Sequence, residues 1–285
     1  MKKDESTNFI LHAKSDEFYW EGDGQLSIKT FYGGRALYKT DKGFFAVEEN
    51  RYLLLNEGDY TIAIDELQEV ESFCLFFRHG FAEDVCRTLT DTSDQLLTDP
   101  FRDKKQIGFF EKTYEMNTGF FRHLQKMKQH YPDHKHDPLW LEEQFHQTML
   151  HLVSTHQFVG KEMESLQMQR TSTKEELYRR IAIADDFIRA FYKEPIQLQD
   201  IAQAACMSTN HLLRSYKQVY GRTPYQQLSE LRIAEAKKRL ATHEWTVTAI
   251  AHELGFQSSA SFSKAFKLAT GHSPLDYRKK VILDK

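Results

Sequence analysis

The 285-residue sequence predicts an α+β protein: an N-terminal β-barrel with appended helices, then an all-α C-terminal part with two helix-turn-helix motifs. Three observations carry that expectation. Between Gln25 and Phe77, β-branched and aromatic runs alternate with turn residues. Beyond Gly80 the apolar residues recur at helical spacing. From Thr173 onward one pattern occurs twice.

Within the strand region, Tyr60 to Asp65 alternates bulky and smaller side chains, and Val70, Phe73, Leu75 and Phe77 continue the enrichment. Gly33-Gly34, Asp41-Lys42-Gly43 and Asn56-Glu57-Gly58-Asp59 supply residues tolerant of positive φ and mark the turns. Short strands with tight turns suggest a small barrel or jelly roll. Phe81, Val85 and Leu89 then define one helical face. A Thr/Ser/Asp-rich stretch from Thr90 to Pro100 interrupts the chain. Helical text resumes near Phe121, and Leu141, Phe145, Met149 and Leu152 form a second apolar stripe. Glu162 to Arg170 reads as a linker. Thr173 with Glu176 reads as a capping box opening a helix that carries Leu177, Ile181, Ala184, Ile188 and Phe191 and stops before Pro195. The resulting division is a barrel over 1–100, a helical dimerisation or linker region over 101–172, and the repeat-bearing domain over 173–285.

Composition narrows the function classes. With 40% hydrophobic and 28% charged residues, 13 Gly and 6 Pro, disorder and collagen are excluded. A mean hydropathy of −0.60 and a longest apolar run of only Phe73 to Phe77 argue against a membrane span. Met1 to Phe18 lacks the apolar segment of a signal peptide, so a cytoplasmic location is expected. Cys74, Cys86 and Cys206 are too few and too scattered for a disulfide framework. The net charge of −3 conceals a split. From Lys174 onward 18 Lys+Arg face 12 Asp+Glu, giving +6, while the preceding residues sum to −9. Such asymmetry marks a basic binding module joined to an acidic domain.

The repeat is specific. Ile201-Ala202 recurs as Ile250-Ala251; Leu212, Arg214, Tyr216, Lys217, Gly221 and Thr223-Pro224 recur fifty residues on as Phe262, Lys264, Phe266, Lys267, Gly271 and Ser273-Pro274. Each copy reads as a short helix, a turn (Cys206-Met207 or Gly255-Phe256), a second helix behind Ser208 or Ser258, a glycine stop, and a Thr-Pro or Ser-Pro start. That is a helix-turn-helix grammar. Leu212 and Tyr216, or Phe262 and Phe266, would lock the second helix inward. The outward residues are Thr209, Asn210, Leu213, Arg214 and Lys217 in one copy, and Ser259, Ser261, Ser263, Lys264 and Lys267 in the other. These faces are polar and basic, as a major-groove helix requires. Pro224 to Thr242 reads as one connecting helix, buried through Ile233, Ala236 and Leu240.

From about Leu177 to Lys280 the sequence resembles the AraC/XylS family of bacterial transcription regulators. The similarity rests on Ile250-Ala251, Gly255-Phe256, Phe262-Ser263-Lys264-Ala265-Phe266-Lys267 and Gly271-His272-Ser273-Pro274-Leu275-Asp276-Tyr277-Arg278, with Leu231-Arg232-Ile233 and Ala236 in the connector. Two positions depart from the pattern: Cys206 stands where Gly is common, and Ser215 where an apolar residue is usual. The resemblance implies double-stranded DNA as partner. The expected contacts are Thr209, Asn210, Arg214 and Lys217 from the first motif, Ser259, Ser261, Lys264 and Lys267 from the second, and Arg232 from the connector. It also implies a cupin-like barrel for a small-molecule effector, a homodimer and an encounter with RNA polymerase. Phe44, Phe45, Tyr60 and Phe76 are the aromatic candidates for effector contact, core packing being the alternative.

No catalytic or cofactor-binding constellation is visible. The strand region has no His with which to hold a cupin metal. His130, His134 and His136, with Asp133 and Asp137, are interrupted by Pro132 and read as a solvated loop. No phosphate loop or nucleophile elbow occurs. The expectation is therefore a regulator rather than an enzyme, with no metal and no cofactor. A protein-assembly domain with a residual helix-turn-helix, and a DNA-binding unit fused to an unrecognised enzyme domain, remain as alternatives.

Overall fold

The computed structural model describes residues 7–98, 107–164, 171–242 and 245–283. The chain divides into two compact units, residues 1–165 and 166–285.

The first unit is a nearly closed antiparallel β-barrel with helices. Its strands are β1 (Phe9–Gly24), β2 (Ser27–Tyr32), β3 (Ala36–Thr40), β4 (Gly43–Val47), β5 (Arg51–Leu55), β6 (Gly58–Phe76) and β7 (Thr113–Glu115). The sheet runs β4-β3-β6-β2-β5-β7, with β1 paired to β6 along its length. β6 organises the barrel because its other edge serves two neighbours in turn. Leu37 to Lys39 pair with Thr61 to Ala63 at one end, and Ser27 to Tyr32 with Glu71 to Phe76 at the other. A register shift between Ser15 and Glu17 lets β1 follow the bend.

Helices α1 (Phe81–Thr90), α2 (Ser93–Thr98), α3 (Thr118–His134) and α4 (Pro138–Glu164) complete the unit. β2, β5 and the end of β6 are covered on both faces. Phe31, Leu53, Leu55 and Cys74 belong to the barrel core. The side chains of opposite parity meet helices: Tyr52 packs edge-to-face with Phe120, Phe73 with Tyr131 and Phe77 with Phe145. Two-sided burial explains why Tyr52 to Leu55 and Phe73 to Phe77 are continuous apolar runs, since strand residues alternate between faces.

Several local expectations are corrected. β1 precedes the region read as strands, and α2 lies in the stretch read as a break. α3 continues through Pro132 to His134 instead of ending in a loop. The ring removes one N–H near the helix end, where few further bonds depend on it. His130 caps back onto the Lys126 carbonyl, and the His134 ring stacks on Trp140. α4 runs on to Glu164 through the start of the expected linker; residues 165–170 lie outside the described part. The capping box at Thr173 does not form. The next helix, α5 (Thr171–Phe191), has already begun, and Glu176 pairs with Arg180 at 2.7 Å.

The second unit contains α5, α6 (Leu198–Ala204), α7 (Thr209–Tyr220), α8 (Pro224–Thr242), α9 (Val247–Glu253), α10 (Ser259–Thr270) and α11 (Pro274–Leu283). One apolar core joins them. Ile181 and Ile188 of α5 meet Leu212 and Tyr216 of α7, Ile233 and Leu240 of α8, and Phe262 and Phe266 of α10. α8 is the spine, in contact with α5, α7, α9, α10 and α11. Among the described residues no helix is long and apolar enough to cross a membrane.

Candidate nucleic-acid interface

The two motifs repeat in their hydrogen bonds as well as in their sequence. After α6 the amide of Met207 bonds the Ala202 carbonyl at 2.8 Å, and after α9 that of Phe256 bonds the Ala251 carbonyl at 3.0 Å. The residue before each, Cys206 or Gly255, has positive φ, 50° and 68°. This αL residue reverses the chain between the two helices of each motif. The second helix then starts behind a serine cap in both motifs. Ser208 Oγ accepts from the His211 amide, and Ser258 Oγ from the Ser261 amide. Both helices end on αL glycines, Gly221 and Gly271, whose amides return to Lys217 and Lys267 carbonyls. Thr223 and Ser273 cap the following helices, each hydroxyl accepting from the amide three residues on, Gln226 or Asp276.

With the apolar sides of α7 and α10 fixed in the core, their opposite sides are set by helical period. On α7, Asn210, His211, Arg214, Lys217 and Gln218 are exposed, and Thr209 is half-buried at the first turn. On α10 the equivalent exposed positions are Ala260, Ser261, Lys264, Lys267 and Leu268, the last 89% exposed. Arg214, Lys217, Lys264 and Lys267 form no ion pair with any described residue, which leaves their charge available to a partner. Spacing of three and four residues puts Asn210, Arg214 and Lys217 on one face, and Ala260, Lys264 and Lys267 on the other helix's equivalent.

Not every expected residue reaches that face on equal terms. Ser261 is exposed, but its hydroxyl donates to the Ser258 carbonyl at 2.8 Å and accepts from the Ser258 amide at 3.2 Å. Ser259 is half-buried at the first turn of α10. Arg232 stands apart. It is 8% exposed, with Nε donating to the Tyr192 carbonyl at 2.7 Å and Nη2 to the Glu194 carbonyl at 2.6 Å, and its guanidinium lies over the Phe256 ring. Its guanidinium is bonded to the segment just after α5, so the placement does not suit the DNA contact expected of it. Helical spacing alone would have found His211 and Gln218, which sequence reading omitted.

Two further groups hold α7 in place. Tyr216 donates to Asp185 Oδ1 at 2.5 Å, and Arg189 Nε pairs with Asp185 Oδ2 at 2.9 Å. Burial, reinforced by Asp185, pushes the Tyr216 phenol far above its usual range, so it remains a donor. Ser215 is buried beside it, 4% exposed.

Residues 201–280 match the profile of a helix-turn-helix domain. The raffinose operon transcriptional regulatory protein RafR of Pediococcus pentosaceus is 31% identical over 111 residues, 39% of this chain and 40% of its own. The HTH-type transcriptional activator RhaS of Pectobacterium carotovorum is 34% identical over 87 residues, 30% of this chain and 31% of its own. The chain thus spans well under two thirds of the length of these relatives. Among solved structures, the C-terminal domain of AraT, a response regulator from Geobacillus stearothermophilus, is 28% identical with a TM-score of 0.34, covering 35% of this chain and 84% of that one. The matched segment coincides with the doubled motif and its connector, and residues 201–280 form a helix-turn-helix domain similar to those of AraC-like regulators.

Proposed function

We propose that the whole chain is a sequence-specific transcription regulator that reads two successive major grooves with α7 and α10 of one subunit. The observation that carries this reading is the pair of equivalent exposed faces, each bearing two unpaired cations and each anchored by the same caps. On α7, Arg214 is placed for guanine acceptors and Asn210 for adenine, with Thr209 and Lys217 at its borders. On α10, Lys264 and Lys267 meet phosphate, while Ser259 and Ser261 flank the first turn near a strand of the duplex.

The remainder of the reading concerns the first unit. The barrel takes a small-molecule effector, and the chain acts as a cytoplasmic homodimer through its helical region, where Leu139 and Phe158 of α4 are 83% and 61% exposed. Contact with RNA polymerase at the promoter belongs to this proposal. An enzymatic reaction and a cofactor do not. Selection of bound duplexes from a random pool, followed by footprinting of the winner, tests the reading. The expected result is two protected major-groove segments per subunit, about one helical turn or roughly 34 Å apart. Retention of random duplexes with no protected segment would refute it.

A further inference from the structure

The barrel holds an open-mouthed cavity of about 670 Å³, within the range of small-molecule sites. Its wall is mainly aromatic and aliphatic, including Phe9, Trp20, Tyr38, Ile62 and Phe76. Lys29 of β2 stands in that wall. The side chain is 1% exposed, Nζ donates to Tyr60 Oη at 2.9 Å, and it lies 3.7 Å from the Phe76 ring centre. No carboxylate of a described residue pairs with it. Gln25 lines the same cavity, and its buried Oε1 has no hydrogen-bond partner. A buried cation without a counter-ion, and a buried acceptor without a donor, are both costly in a folded protein. Together they describe the complement of a missing molecule: an anion for Lys29, a hydroxyl or amide donor for Gln25, and an apolar body for the aromatic wall.

We propose that the cavity binds a monocarboxylate with an aromatic or compact apolar body, its carboxylate paired to Lys29. This rests on the reading of the barrel as an effector site and gives that effector a chemical class. Lys29 is the buried cation of the cavity wall, whereas Lys14 lies at the exposed rim, 3.9 Å from Glu69. Tyr38 on β3 and Tyr60 and Cys74 on β6 are held neutral by burial, which raises each of them, and β1 contributes Asp23 and Lys14 to the cavity rim. Burial lowers Lys29 itself to about 7, with Cys74 acting weakly in the opposite direction. An incoming carboxylate restores the ammonium form, so binding above that pH draws in a proton.

The test is calorimetry on the full chain with 2-naphthoate and 4-phenylbutanoate, each beside its neutral primary amide, in buffers of different ionisation enthalpy. We expect each carboxylate to bind at least ten times more tightly than its amide, with uptake approaching one proton at pH 8 and little at pH 6. Lys29→Met should erase both the preference and the uptake. The uptake measurement needs no variant, so it stands even if that substitution perturbs folding. Amides binding as well as acids without proton uptake, or no binding by either at millimolar concentration, would overturn the assignment. Carboxylate binding that leaves affinity for the selected DNA unchanged would instead refute the effector reading while keeping the site.

Discussion

The two inter-helix turns offer a measurement of backbone strain with an internal control. Cys206 and Gly255 hold the same αL position, but only the second is a glycine. A side chain in that region costs about 1–2 kcal/mol, and a glycine gives back roughly 0.5–1 kcal/mol through the entropy of the unfolded chain. Cys206→Gly should therefore stabilise the C-terminal unit by up to about 1 kcal/mol. Gly271→Ala, at φ 77° with nothing within 4 Å of the added Cβ, isolates the conformational cost alone. It should cost about 1 kcal/mol. Gly255→Ala adds a collision. The new Cβ would lie 2.7 Å from the Glu194 carbonyl oxygen and 2.9 Å from its carbon, atoms held in place by Arg232. Overpacking against backbone costs about 1–3 kcal/mol more, so the total is about 2–4 kcal/mol. Urea unfolding followed on Trp245, with Trp20 and Trp140 replaced by Phe, ranks the three variants. A Gly255→Ala cost no larger than that of Gly271→Ala would refute the steric argument. A destabilising Cys206→Gly would refute the strain assigned to the first turn.

Other outcomes follow from the same geometry. Arg214→Ala should weaken binding to the selected DNA by roughly 1–3 kcal/mol and broaden the sequences retained, as gel-shift titration against mutated duplexes would show. Replacing Lys264 and Lys267 by Ala should lower the slope of log affinity against log salt by roughly 0.9 for each lost phosphate contact, with sequence preference preserved. Arg232→Met should cost about 1–3 kcal/mol in unfolding measurements, because the Tyr192 and Glu194 carbonyls each lose a charged donor, the latter keeping the Ile196 amide, and should leave DNA preference unchanged in whatever fraction remains folded. Burial, with His123 adding to it, lowers His151 to about 4. The unfolded chain takes up that proton near the ordinary value of about 6.5, so stability of the first unit is full above it and declines as pH falls toward 4. His151→Gln should flatten that part of the pH-stability curve.

What could be read from the sequence followed from which physical constraint each residue obeys. The C-terminal unit was legible because its helices are short, individually capped and doubled. Ser208, Gly221 and Pro224 each mark a boundary by local chemistry, and a second copy checks every assignment. The barrel was less so. β1 carries its polar residues outward over most of its length, so its pairing with β6 leaves little apolar alternation between Lys14 and Gly24. The last turn of α3 was hidden by Pro132, whose effect on a helix depends on its distance from the end. Lys29 gave no signal because a lysine in Ile28-Lys29-Thr30-Phe31 looks like an outward residue. Only closure of the barrel shows that its parity is that of Phe31, facing inward.

The repeat also shows where such legibility stops. Positions that agree between the copies are those that cap, turn or pack, such as Ser208 and Ser258, Gly221 and Gly271, Tyr216 and Phe266, together with the outward cations Arg214 and Lys264, Lys217 and Lys267. The remaining outward positions differ: Asn210 against Ala260, His211 against Ser261, Gln218 against Leu268. A shared backbone therefore carries two unlike surfaces. The α7 face has an amide, an imidazole and a guanidinium, groups that discriminate between base edges by hydrogen-bond pattern. The α10 face has two lysines between small and apolar side chains, a surface suited to phosphate and to thymine methyl groups. Scanning every base pair of the selected DNA should accordingly find the steeper losses, roughly 1–3 kcal/mol per substitution, in the half under α7. Equal losses in the two halves would mean that α10 reads bases as closely as α7, and that the exposed Lys264 and Lys267 do more than hold the backbone.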